Sequence, residues 1–111
     1  MFERWVLEDV EIAGVAVPKG AELGLLFGSA NRDPAVFADP DRLDLGRPDA
    51  AQHLSFGAGV HYCLGAPLGR LELELSFGTL LRRLPGMALA TEPAWKPTYI
   101  LRGLEALHVT A

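Results

Sequence analysis

Residues 56–65 read Phe-Gly-Ala-Gly-Val-His-Tyr-Cys-Leu-Gly and hold the chain's only cysteine, Cys63, with Gly57 and Gly59 before it and Gly65 just after. Pro67 then opens an apolar and charged run to Leu84, and proline suits the first turn of a helix. Glycines around one sulfur give a backbone that can adopt left-handed dihedrals and let a bulky group approach closely. A thiol just ahead of a helix sits where unpaired N–H groups and the positive dipole end favour an anion. The anion is the form in which cysteine binds metals. The stretch therefore reads as an exposed, preorganised thiolate under a surface kept clear by glycine.

Other chemistries fit less well. A small buried cysteine in a turn is the ordinary fate of a lone intracellular thiol, but it leaves the flanking glycines unexplained. Zinc needs three or four ligands at ordinary spacing, and Cys63 with His61 supplies two. A phosphate loop would need Gly-Lys-Ser/Thr, and the dinucleotide pattern breaks at Tyr62, where its third glycine should fall. A catalytic nucleophile with His61 as base stays open, although two residues apart on a turn is poor geometry for that pair.

The pattern Phe56-Gly57-x-Gly59-x-His61-x-Cys63-x-Gly65 resembles the cysteine-ligand loop of bacterial-type cytochromes P450, in which the thiolate ligates haem iron. The resemblance extends over nearly the whole chain and corresponds to the C-terminal part of the family's domain only. It implies an α+β fragment of a mainly α-helical fold: an N-terminal β-hairpin (1–29), a short helix and irregular meander (30–55), the Cys loop (56–66), one long buried helix (67–84) and short C-terminal β-strands (85–111). It implies haem b (iron protoporphyrin IX) as cofactor, with Cys63 as axial ligand. Phe56 would pack on the sulfur side of the porphyrin, with Gly57 and Gly65 in the same loop. Arg4 would hold one propionate and His61 donate on the side of the second, which suits guanidinium as a bidentate partner for carboxylates.

Length and composition agree with part of a larger body. At 111 residues there is room for one core and none for two ordinary domains. Half the residues are hydrophobic and mean hydropathy is +0.19, an excess that points to surface covered by something else. A net charge of −4 and a pI near 5.2 argue against nucleic acid, which calls for a basic patch. One cysteine excludes a disulfide framework and suits a reducing compartment. No apolar run approaches ~20 residues and no signal-peptide pattern opens the chain, so the expectation is a cytoplasmic protein without a membrane partner.

Within this frame, Val10 to Val17 reads as one apolar strand and Leu23 to Leu26 as the start of a second, with Pro18-Lys19-Gly20 as the turn. Gly14 marks a bulge or tight bend. Residues 30–50, with Pro34, Pro40, Pro48 and five aspartates, read as loop apart from a short helix near Pro34 to Phe37. They resemble the family's meander through Ala30-Asn31-Arg32-Asp33-Pro34 and Asp39-Pro40-Asp41-Arg42, with Leu43 in place of the usual phenylalanine. The matching arginine of the family joins a Glu-x-x-Arg helix that has no counterpart here, so Arg42 is either unpaired or paired by another chain.

From Leu68 to Leu84, Leu68, Leu71 and Leu75 form one helical stripe and Leu73, Phe77, Leu80, Leu81 and Leu84 another. Arg70 and Glu74 stand at i,i+4, and Pro85-Gly86 stops the helix. Beyond it, Met87 to Ala90, Tyr99 to Leu101 and Leu104 to Val109 read as short strands. Ile100 and Leu101 would line the substrate pocket by resemblance, and His108 stands where many relatives carry proline.

The activity implied is haem-thiolate monooxygenation of a small organic substrate, fed with electrons by an external ferredoxin or reductase. The distal helix and most of the pocket have no counterpart here, so catalysis by the 111 residues alone is not expected. The chain then reads as a fragment of the full enzyme. The alternatives are a non-catalytic haem-binding remnant, or one chain of a split protein whose partner is the missing N-terminal portion.

Overall fold

The computed structural model describes residues 2–98 and 100–111. The chain divides into two compact units, Met1–Ser55 and Phe56–Ala111.

The first unit begins with four short strands, β1 (Phe2–Trp5), β2 (Val10–Ile12), β3 (Val15–Val17) and β4 (Glu22–Leu25). β1 pairs antiparallel with β4, Phe2 opposite Leu25 and Trp5 opposite Glu22, while β2 and β3 pair with each other, Val10 opposite Val17. The run Val10 to Val17 is thus not one strand. It folds back at Ala13 and Gly14, whose φ values of +50° and +80° belong to a two-residue hairpin turn that matches strand twist. β4 finds its partner in β1, within residues whose mixed composition gives no strand signal. Pro18-Lys19-Gly20 is a turn, with Gly20 at φ +86° and the Ala21 N–H on the Pro18 carbonyl at 3.1 Å. It joins β3 to β4, which belong to different pairs. Backbone bonds from Val6 N–H to Ala21 O (2.9 Å) and from Gly20 N–H to Val6 O (2.8 Å) carry the outer ladder past β1. Val6 is accordingly buried.

A four-residue helix, α1 (Phe27–Ala30), follows β4; the Phe27 ring stacks on Phe2 with centroids 5.1 Å apart. The short helix read near Pro34 to Phe37 is instead a single hydrogen-bonded turn. The Val36 and Phe37 N–H groups donate to the Asp33 carbonyl, and the Ala35 N–H donates to the Asp33 carboxylate at 2.9 Å. Asp33 thus caps a turn that does not propagate, and Phe37 is buried beside it in sequence.

Side chains hold the meander. Arg47 donates from Nη2 to the carbonyls of Asp39 and Arg42, both at 3.2 Å, and its Nη1 pairs with Asp49 at 3.3 Å. The turn so clamped starts at Asp39, which has a φ of +44° that costs an L-residue about 1 kcal/mol or more. The Asn31 side chain accepts the Leu54 N–H at 2.7 Å and donates to Ser55 Oγ at 3.0 Å, tying the start of the meander to its end. The Arg42 guanidinium has no partner among the described residues.

In the second unit, α2 (Ala66–Arg83) carries Pro67 in its first turn and Arg82 and Arg83 in its last, where cations complement the dipole. Its apolar stripes are exposed: of its residues only Ala66 is buried, and Leu68, Leu75, Phe77 and Leu81 are each more than half exposed. The expected burial on most sides is not met within this unit, because no other helix or strand described in it packs on α2. Beyond it, β5 (Ala88–Leu89) and β6 (Val109–Thr110) pair antiparallel, extended by the Ala90 N–H on the His108 carbonyl at 2.9 Å. Between them Trp95 bridges Leu104, and Arg102 lies 4.2 Å over the Trp95 ring. Of the strand read at Tyr99 to Leu101, Tyr99 lies outside the described residues, and Ile100 and Leu101 are bends. The strand read at Leu104 to Val109 is only the Leu104 bridge and β6.

Candidate haem-ligand loop

Phe56 to Gly65 forms a closed loop that delivers Cys63 to the start of α2. Gly57 and Gly59 take φ values of +74° and +63°, a left-handed region costly to any residue with a Cβ. Those two turns bring the chain into a 3₁₀ turn at Gly59–His61, closed by the Tyr62 N–H on the Gly59 carbonyl at 3.0 Å. The Cys63 N–H then reaches back to the Phe56 carbonyl at 2.8 Å, and the Cys63 carbonyl accepts the Ala66 N–H at 3.1 Å. Both backbone polar groups of Cys63 are therefore tied, and the sulfur hangs from a pinned residue.

The thiol itself is free and exposed; no N–H among the described residues donates to it. Gly65 differs from the two upstream glycines. Its φ is −80°, and a Cβ built there would lie 3.8 Å from the Cys63 sulfur, an ordinary contact. Gly65 is thus open in space but not required by backbone conformation. On either side of Cys63 in sequence, Val60 and Leu64 are 99% and 98% exposed. Covering each would stabilise by roughly 1.5–3 kcal/mol, so the loop presents apolar surface next to a thiol.

Phe56 is held against the helix start. Its ring lies where a Cβ on Gly69 would meet it at 3.6–3.7 Å, with the Arg70 guanidinium 5.0 Å from its centroid and the Tyr62 ring edge-on at 6.5 Å. Arg70 Nη1 donates to Tyr62 Oη at 2.8 Å. The i,i+4 partner read for Arg70, Glu74, is not engaged, because the guanidinium points back to the loop.

The structure thus gathers Phe56, Gly57, His61, Cys63 and Gly65 in one hydrogen-bonded loop. The His61 side chain is exposed and has no partner among the described residues. Arg4 belongs to the first unit, on β1 opposite Leu23, and its guanidinium donates to the Glu3 carbonyl at 2.7 Å. Ile100 and Leu101 are carried separately, in the turn of the Trp95–Leu104 bridge, where Thr98 Oγ1 donates to the Leu101 carbonyl at 2.8 Å. Sequence reading missed the roles of Arg47, Asn31, Tyr62 and Arg70. For the last two the signal was an aromatic residue just before the cysteine and an arginine one turn into the helix.

A free thiol on a pinned backbone, beside exposed apolar side chains, is what a flat iron-bearing ring requires of its axial ligand. Comparison with known proteins decides the family. The sequence profile described as Cytochrome P450 matches residues 1–87. The chain belongs to the cytochrome P450 family.

It is 43% identical over 99% of its length to the polyketide biosynthesis cytochrome P450 PksS of Bacillus subtilis (strain 168), and 45% identical, again over 99%, to the biotin biosynthesis cytochrome P450 of the same organism. It spans 28% of the length of each. Among solved structures, that of P450BioI in complex with hexadec-9Z-enoic acid ligated acyl carrier protein superposes on 98% of the chain with a TM-score of 0.92 at 45% identity, the chain covering 28% of it. P450s carry haem, and the donor set here fits it: one unengaged cysteine on a hydrogen-bonded loop. Among the described residues no helix is long and apolar enough to cross a membrane, and no cluster of His, Cys, Asp and Glu could hold a separate metal ion.

Proposed function

We propose that the chain supplies the haem-thiolate segment of a P450 monooxygenase, an oxidoreductase inserting one oxygen atom from O2 into a small organic substrate. The observation that carries this reading is the unengaged, exposed Cys63 thiol on a backbone tied at both its N–H and its carbonyl, in a chain of this family. Cys63 would ligate the iron of haem b. Phe56, held by Arg70 and Tyr62, would pack against the bound group near the sulfur and limit water there. His61 and Arg4 serve the propionates, and both keep side-chain donors suited to carboxylates. Ile100 and Leu101 line the substrate pocket. The bound haem supplies oxygen activation, which the thiolate promotes by donating electron density. Electrons come from an external ferredoxin or reductase, and a cytoplasmic setting fits such a partner.

The exposed stripes of α2 and the partner-free Arg42 favour a setting in which further P450 residues, on the same or another polypeptide, cover the helix and pair the arginine. Haem titration of the chain, followed by Soret absorption, tests the reading. The wild-type chain takes up haem, and Cys63→Ser weakens uptake at least tenfold. Equal uptake by both would place the ligand elsewhere.

A further inference from the structure

We propose that Arg70 is a positioning residue for Cys63, acting from α2 through Tyr62 and Phe56. The loop has two arms, and Arg70 engages both. One arm starts at Phe56, whose carbonyl accepts the Cys63 N–H at 2.8 Å. The other ends at Tyr62, the residue bonded directly to Cys63. Arg70 places its guanidinium 5.0 Å from the Phe56 ring and donates to Tyr62 Oη at 2.8 Å, and the two rings meet edge to face. One cation therefore closes the base of the loop and fixes it to the first turns of α2. The Phe56 ring packs over α2 at Gly69, where a Cβ would meet it at an ordinary 3.6–3.7 Å.

The alternative use of Arg70, an ion pair with Glu74 one turn along, would stabilise α2 without touching the loop. The guanidinium instead turns toward the helix N-terminus. Its role is to hold the Cys63 backbone, and so the sulfur, at a fixed height above α2. The inference rests on Cys63 being the functional thiolate, but its test does not.

Amide hydrogen exchange of the ¹⁵N-labelled chain is measured for wild type, Arg70→Ala, Arg70→Lys and Tyr62→Phe. A surface cation–π contact and one exposed hydrogen bond together correspond to a change of roughly five- to seventyfold. Arg70→Ala should accelerate exchange of the Cys63 and Tyr62 amides by that factor, relative to the α2 interior from Leu75 to Leu81. Arg70→Lys, which keeps a cation near Phe56, should restore part of the protection. Tyr62→Phe should give a smaller acceleration of about two- to threefold, and combining it with Arg70→Ala should add nothing further. Tyr62→Phe also serves if Arg70→Ala does not fold. Unchanged Cys63 exchange in Arg70→Ala or Tyr62→Phe overturns the proposal. So does an equal rise throughout α2, which would make Arg70 a support of the helix alone. Failure of the wild-type chain to bind haem through Cys63 would sink the proposed function and leave this result standing, so the two failures are separable.

Discussion

Gly59→Ala and Gly65→Ala separate backbone demand from open space in the Cys63 loop. Gly59 has a φ of +63°, and a Cβ built on it meets nothing within 4 Å. The cost of alanine there is therefore dihedral strain without a clash, about 1–2 kcal/mol. Gly65 has a φ of −80° and its Cβ would touch the Cys63 sulfur at an ordinary 3.8 Å. Alanine there gains about 0.4–1 kcal/mol by restricting the unfolded chain. It loses about 0.5–1 kcal/mol at a helix N-cap, where glycine is preferred over alanine, so the net lies within about 0.5 kcal/mol of zero. For a chain of this size 1 kcal/mol moves Tm by roughly 4–8 °C. Thermal melts by circular dichroism should place Gly59→Ala at least 4 °C below wild type and Gly65→Ala within about 3 °C of it. The two variants should also part in haem uptake, Gly59→Ala losing it first. An equal loss at both positions, or a neutral Gly59→Ala, would refute the account of the loop as a structure fixed by two left-handed glycines.

Arg47→Ala removes two bonds to carbonyls and a pair with Asp49 in which both side chains are only 17% exposed; urea denaturation should show a loss of about 1–3 kcal/mol. Arg32→Ala breaks a pair with Asp41 whose side chains are 63% and 88% exposed. The same assay should register less than about 0.5 kcal/mol. Asn31→Ala frees the Leu54 N–H and Ser55 and should cost about 1–2 kcal/mol, with faster exchange of the Leu54 amide as its local signature.

The residues that were legible are those whose geometry is written in their own type. Gly57 and Gly59 announce left-handed dihedrals, Pro67 a first helical turn, and Pro18-Lys19-Gly20 a turn in which Gly20 takes a positive φ. Reading failed where partners are distant or the pattern is degenerate. Val10 and Ile12 alternate as a strand would and so do Val15 and Val17, and the two arms of a tight hairpin read together as one run; the three-residue step from Ile12 to Val15, at Ala13 and Gly14, marks the reversal. Phe2 to Trp5 becomes a strand through β4, a partner twenty residues away that no local pattern encodes. Arg70 was assigned to Glu74 because helix spacing reports neighbours on the same helix and nothing of a loop folding back over it. The stripes of α2 were read correctly as apolar, but periodicity tells which residues share a face and not what covers that face. Their exposure here is in keeping with a chain that spans 28% of its relatives' length.

The most direct test of Cys63 as the iron ligand is the absorption spectrum of the haem-loaded chain after reduction and exposure to carbon monoxide. The account predicts a Soret band at the red-shifted position that marks a thiolate ligand, absent in Cys63→Ala. A band at the position of neutral histidine ligation, or one unchanged by Cys63→Ala, would contradict it.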